Sequence, residues 1–211
     1  MLLLPERKAL FLHIPKTGGQ TIERLLGFPH RHQHHSSKGL PSDWQRWFRF
    51  TFVRHPVDRF ISACNYYVDM AGRHQRRYRQ PAERGVIASF RLWLLEEKPS
   101  LPQVVEALQA QDLYRRHAGF APQLRRIRAV QPQFLGRFER FADDVNTVLT
   151  LLDVDARLEA GAPRINASKR HYRQVDLDGP ALQALSRMYR ADFQQLGYRP
   201  APPTALPNDE H

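Results

Sequence analysis

With 211 residues, 42% of them apolar and 25% charged, the chain can bury one full hydrophobic core and has the balance of an ordinary folded protein, which excludes wholesale disorder. Its 32 Lys and Arg outweigh 21 Asp and Glu for a net charge of +11, a field that attracts polyanions: nucleic acid, acidic polysaccharide, anionic lipid or a small ligand with several phosphates. Nearly all the cations are arginine, whose planar fork suits phosphate, sulfate and carboxylate, although an arginine-favouring codon bias accounts for the composition equally well.

The opening "MLLLPERK" has three leucines before Pro5. That falls short of the ~7 to 15 apolar residues of a signal-peptide core, and no later stretch approaches the ~20 needed to span a bilayer. A soluble cytoplasmic protein is the expectation. Residues Lys8 to Ile14 (KALFLHI), stopped by Pro15, read as a buried strand. Ile22, Leu25 and Leu26 follow at i, i+3, i+4, so a helix starts near the glycines of "PKTGG". After a histidine-rich connector, "PSDWQRWF" reads as a helix with Ser42 as N-cap. Arg49 to Val53 is a second strand, and Pro56 then opens a helix whose apolar face is Phe60, Ile61, Cys64, Tyr67 and Val68. Cys64 is the only cysteine, which rules out an intrachain disulfide and fits a reducing compartment.

The strongly basic segment 71–84 reads as an exposed loop. "GVIASFRLWLLEE" and "LPQVVEALQAQDLY" read as helices, divided by Pro99 and Pro102. Gln133 to Phe138 is a third strand, followed by a helix with Phe141, Val145, Val148, Leu149 and Leu152 on one face. Pro180 to Leu196 is the last helix, stopped by Gly197, and a proline-rich tail over 200–211 is expected to be disordered. Three strand-then-helix units argue for an α/β fold with a mainly parallel sheet flanked by helices, as a single domain over residues 1–199.

In such a sheet, ligands bind beyond the carboxyl ends of the strands. Lys16 to Thr21 and Arg54 to Arg59 both fall at that edge. Gly18 and Gly19 permit a tight turn that exposes consecutive N–H groups, and the helix adds the positive end of its dipole. Lys16 contributes a charge at the rim, and Thr17 and Thr21 carry hydroxyls able to donate to an oxyanion. The lysine precedes the glycines, so the nucleotide P-loop pattern G-x-x-x-x-G-K-[ST] is not met. A plain βα connection with an exposed lysine is an equal reading of this turn taken alone.

Two blocks together resolve more. "FLHIPKTGGQTI", followed about thirty residues later by "FTFVRHPVDRFISACNYY", closely resembles the sulfotransferases that use 3′-phosphoadenosine-5′-phosphosulfate (PAPS). The likeness is to the carbohydrate branch that includes the heparan sulfate 2-O enzymes and small bacterial relatives. It extends to "FLGRFERFADDV", "INASKRHY" and "MYRADFQQLGY". The resemblance implies a P-loop-like three-layer domain. It also implies a 5′-phosphosulfate site made of Lys16, Thr17, Gly18, Gly19, Gln20 and Thr21, and a 3′-phosphate site made of Arg54 and Ser62. The late loop supplies Asn166, Ser168, Lys169 and Arg170 as candidates for closing over the nucleotide.

The reaction so implied is in-line transfer of a sulfuryl group from PAPS to an acceptor hydroxyl, with PAP as product and no metal. Positioning and charge stabilisation carry such a transfer more than covalent help. Lys16 would neutralise the bridging and departing oxygen. A histidine suits the role of base; "HHSSKGL" aligns best through His35, with His34 second, while His30 and His32 read as surface residues. Glu139 is an alternative acid–base partner, an orienting group or a helix cap, the structural role being favoured. "HRHQHH" also permits a metal site, but no cysteine or carboxylate accompanies it. Gln20 stands where relatives carry threonine, and His55 where they carry Asp or Asn.

The acceptor is expected to be a carbohydrate hydroxyl, with an acidic saccharide drawn by Arg73, Arg76, Arg77, Arg79, Arg84, Arg115, Arg116, Arg125, Arg126 and Arg128; a solvated basic face reads the same residues. Two other classes compete. A nucleic-acid-binding module would use the same charge but needs exposed aromatics, and Trp44, Trp47, Phe48 and Phe50 fall where a core is expected. A P-loop kinase would need the missing G-K-[ST] order and magnesium ligands. Neither nucleic acid nor membrane is expected as a partner.

Overall fold

The computed structural model describes residues 1–28, 39–69, 85–110, 112–159, 161 and 170–200. In chain order its strands and helices are β1 Leu2–Leu4, β2 Ala9–Leu12, α1 Gly19–Leu25, β3 Phe48–Val53, α2 Pro56–Asp69, α3 Val86–Glu96, α4 Leu101–Ala110, α5 Leu113–Arg116, α6 Gln123–Val130, β4 Phe134–Arg137, α7 Phe141–Leu151, α8 Gly179–Met188 and α9 Arg190–Gln195. The chain forms two compact units, Met1–His55 with Gln123–Ala167, and Pro56–Pro122 with Ser168–His211.

The first unit holds a four-stranded sheet in the order β1-β2-β3-β4. β2, β3 and β4 are parallel neighbours, and β1 is an antiparallel edge. The mixed α/β, mainly parallel reading therefore holds. β1 is an addition: three residues are too few to show a period, and pairing Leu2 with Phe11 is what makes them a strand. All four residues of β2 are buried, as expected for a parallel strand covered on both faces. Phe11 stacks on Phe50 with ring centroids 5.0 Å apart, and Phe52 meets the edge of Phe141 at 5.6 Å. Each such buried ring stabilises the unit by ~1.5–3 kcal/mol relative to exposure. Val145, Val148, Leu149 and Leu152 complete this core from the α7 side.

Two helices differ from expectation here. "PSDWQRWF" forms only a 3₁₀ turn, Trp44–Arg46, which Ser42 does not cap. Trp47 is already extended to feed β3, leaving too few residues to offset helix nucleation. Conversely, α6 was hidden by its arginines; Leu124, Ile127 and Val130 recur every three residues, and the helix lies against β2 and β3.

The second unit is helical, and its core includes Phe60, Cys64, Leu94, Val104, Leu108, Leu182, Leu185 and Phe193. The expected single last helix is two, α8 and α9, because Tyr189 leaves the helical basin at φ −107, ψ 19. Its hydroxyl donates to Phe120 O at 2.7 Å. Asp178 caps α8 by accepting from Ala181 N at 2.7 Å. Gly197 ends α9 as expected, at φ 67, with Tyr198 N donating to Phe193 O. Arg59 is fully buried and donates to the carbonyls of Gly119 and Ala121 at 2.9 and 2.6 Å, with Phe120 O at 3.4 Å. It is an internal clamp, although its place in the sequence had put it at the ligand edge. Among the described residues, no helix is long and apolar enough to cross a membrane.

Candidate active site

The turn between β2 and α1 is built by interlocking constraints. Thr17 is fully buried and its hydroxyl donates to Ile14 O at 2.8 Å. The hydroxyl expected to meet an oxyanion therefore turns inward and staples the turn, in the i−3 back-bond that threonine commonly makes. Gly18 has φ 83, and a Cβ there would stand 2.5 Å from the Phe141 ring, so both backbone and packing demand glycine. At Gly19 a Cβ would fall on the ring of His13. That ring is fixed in turn: His13 Nδ1 lies 2.6 Å from Oε1 of the buried Glu23. Gln20 is exposed and Thr21 half-buried on the first turn of α1, where Thr21 N donates to Gly18 O at 3.0 Å.

Lys16 sits at the apex of this turn with φ 72, a left-handed conformation that costs a non-glycine residue roughly 1–2 kcal/mol. Its ammonium is largely withdrawn from water. Burial first, and then the nearby Arg54 charge, push its pKa from 10.5 down to about 8. Both effects oppose the charged form, and an anion placed on the turn would relieve both.

Arg54 follows the last residue of β3. Because β2 and β3 are parallel neighbours with Leu12 opposite Thr51, Arg54 and Lys16 reach the same edge of the sheet. Arg54 Nη1 is 3.5 Å from Lys16 O, and its guanidinium lies 4.3 Å from the centroid of the Phe138 ring. Its peptide is held on both sides by one side chain: Arg54 N donates to Gln123 Oε1 at 3.0 Å, and Gln123 Nε2 donates to Arg54 O at 2.8 Å. The next N–H, of His55, donates to Glu139 Oε1 at 2.6 Å. The structural reading of Glu139 stands in kind but not in partner, since its carboxylate secures the turn after β3 rather than the start of α7.

Ser62 is a half-buried residue of α2, in the second unit, and Arg170 is exposed. His30, His32, His34, His35, Asn166, Ser168, Lys169 and the arginines of segment 73–84 lie outside the described residues. His117 is unsuited to act as a base at neutral pH: burial first, and then the neighbouring Arg91, push its pKa down to about 3. Among the described residues, no group of three or more His, Cys, Asp or Glu could hold a metal ion.

Reasoning from sequence did not find Gln123, the His13–Glu23 pair or the true partner of Glu139. A polar residue followed by "LRRIRAV" carries no local sign of reaching a peptide 69 positions earlier, so only the tertiary fold reveals it.

Chemically, the edge offers two cations about a glycine turn, with a helix N-terminus behind one of them. Such an arrangement suits a small, multiply charged anion. Searches of curated proteins and of solved structures returned no match. The sequence model described as the sulfotransferase family, however, matches residues 1–199. With the lysine–glycine turn and the strand-end arginine standing at one edge of the sheet, the chain belongs to the sulfotransferase family and is an enzyme of sulfuryl transfer.

Proposed function

We propose that the enzyme takes its sulfuryl group from PAPS and passes it to an acceptor hydroxyl, on a carbohydrate by preference. The observation that carries this reading is the meeting of Lys16 and Arg54 at the ends of adjacent parallel strands, joined by the contact of Arg54 Nη1 with Lys16 O. The residues suit a donor with anionic groups at two ends: Lys16 is a largely buried cation whose charged form is disfavoured by burial and by Arg54, and Gly18 and Gly19 keep the turn tight against the rings of Phe141 and His13. The family match over residues 1–199 supports treating both units as one P-loop-like sulfotransferase domain.

PAPS supplies an activated sulfuryl group on a phosphate leaving group. Lys16, at the 5′ end, offsets the charge that grows on the bridging oxygen as the S–O bond breaks. The N–H groups of Gly18, Gly19 and Gln20 orient the phosphosulfate for in-line attack. Arg54 holds the 3′-phosphate, and the family pattern adds Ser62 to that end and Asn166, Ser168, Lys169 and Arg170 as a closing segment. His35, or His34, accepts the proton of the attacking hydroxyl. The sulfuryl group bears fewer negative charges than a terminal phosphoryl group, so the reading calls for no magnesium. The net charge of +11 favours an acidic saccharide as acceptor.

The test is PAP release from PAPS in the presence of a panel of sugar and polysaccharide acceptors. Wild-type enzyme should release PAP without added magnesium, and Lys16→Ala should lose at least a hundredfold in rate, the scale of a removed transition-state charge. Turnover with ATP and magnesium in place of PAPS would refute the reading in favour of a kinase.

A further inference from the structure

Three hydrogen bonds at the site hold the backbone at and just after Arg54. Gln123 is fully buried at the start of α6, and its amide pairs with both the N–H and the carbonyl of Arg54. It thereby completes an extra rung beyond the last residue of β3. Glu139, on the 3₁₀ turn that follows β4, takes the next N–H. The preceding residue of that turn, Phe138, supplies the ring under the guanidinium. Arg54 is therefore fixed at its peptide from α6, at the next peptide from Glu139, and at its charged end by an aromatic face.

Resting on the PAPS reading above, we propose that Gln123 and Glu139 are positioning residues that set Arg54 for the 3′-phosphate of the donor and so determine selection of 3′-phosphorylated nucleotides over simple adenine nucleotides. The physical reason lies in the cost of the alternative. Without the amide, the N–H and carbonyl of Arg54 lose partners in a half-buried turn, and the peptide must rotate to recover them. A guanidinium recognises phosphate through a planar fork of fixed direction, so a small rotation at its Cα removes the match. The effect of Gln123 passes through the Arg54 backbone to which it is bonded.

The experiment measures Kd for PAP and for AMP by calorimetry on wild type, Gln123→Met, Glu139→Gln, Arg54→Ala and the double variant Arg54→Ala with Gln123→Met. Methionine keeps the length of glutamine but makes neither hydrogen bond. Gln123→Met should weaken PAP about tenfold, the scale of one well-placed charged hydrogen bond, and leave AMP within about twofold. In the Arg54→Ala background it should have no further effect on PAP, because there is no guanidinium left to place. Glu139 is exposed, so Glu139→Gln should fold normally and shift PAP in the same direction by about threefold. Should Gln123→Met fail to fold, Glu139→Gln decides.

Equal losses for PAP and AMP, additive losses in the double variant, or unchanged PAP affinity in a folded single variant would overturn the proposal. A wild-type enzyme with no preference for PAP over AMP would instead overturn the donor assignment itself. Retained preference in the variants would leave that assignment standing and remove only the role of Gln123 and Glu139.

Discussion

Raising the pH discharges Lys16 well before an ordinary lysine. The drop in its pKa from 10.5 to about 8 corresponds to roughly 3 kcal/mol against the charged form, set by burial and then by Arg54. A bound phosphosulfate or phosphate offsets that penalty, so Lys16 should bind a proton as ligand binds. In the free enzyme about 90% of Lys16 is protonated at pH 7 and about 3% at pH 9.5, so PAP affinity should fall about thirtyfold across that range. Phosphate monoesters have a second pKa near 6, so the ligand charge changes little in this window. Calorimetry in buffers of different ionisation enthalpy should show proton uptake approaching one per PAP bound near pH 9. Lys16→Arg keeps its charge throughout and should bind PAP with a nearly flat pH profile. A flat wild-type profile, or the same slope in both proteins, would refute the reasoning that Lys16 is a desolvated cation engaged by the ligand.

Other predictions follow from the same geometry. The folded pKa of Lys16 lies below its unfolded value, so its contribution to stability is fully present above pH 10.5 and lost as the pH falls through about 8. Lys16→Met should therefore stabilise the free protein at pH 7 by about 1–2 kcal/mol in denaturant titrations, with the gain vanishing above pH 10.5, while transfer is lost; no gain at pH 7 would count against the buried charge. Gly18→Ala forces a side chain into a left-handed turn and against the Phe141 ring; it should cost about 1–3 kcal/mol in stability and weaken PAP, and a neutral result in both would show that the turn adapts. Arg59→Leu strips a buried charge from the carbonyls of Gly119 and Ala121, and from Phe120 O, which keeps the Tyr189 hydroxyl; a loss of about 3 kcal/mol or more is expected from chemical denaturation, against under 1 kcal/mol if water replaces it.

How far sequence reached depended on whether the signal was local. β2, β3 and β4 are apolar runs ending in a glycine, proline or charged turn, and all three were legible. So were α2, α7 and α8, whose apolar residues keep a helical spacing. β1 was not, because a three-residue edge strand exists only through pairing with β2. Lys16 and Arg54 could be placed at one edge of the sheet because "PKTGG" and "VRHP" each join the end of a strand to the head of a helix, and parallel pairing then brings their ends together. What holds those residues is a different matter. The Thr17 hydroxyl had two plausible partners within the turn, a ligand or Ile14 O, and burial selects the second. Glu139 reaches back 84 positions, and Arg59 looks like a surface or ligand-facing cation until the fold is seen to bury it against the carbonyls of residues 119–121. Polar side chains that serve distant backbone carry no period and no spacing, and so leave no trace in a one-dimensional pattern.

The central claim is that one edge of the sheet binds a nucleotide carrying anionic groups at both its 3′ and 5′ ends. It is tested most directly by the rise in melting temperature with PAP, compared at equal concentration with AMP and ATP. Ligand that binds only the native state stabilises it by mass action, by about 2.7 kcal/mol at a hundred times Kd. The account predicts a clear rise with PAP in wild type, a much smaller one with AMP or ATP, and loss of the PAP advantage in Arg54→Ala. Equal shifts with PAP and AMP, or a PAP advantage that survives Arg54→Ala, would contradict it.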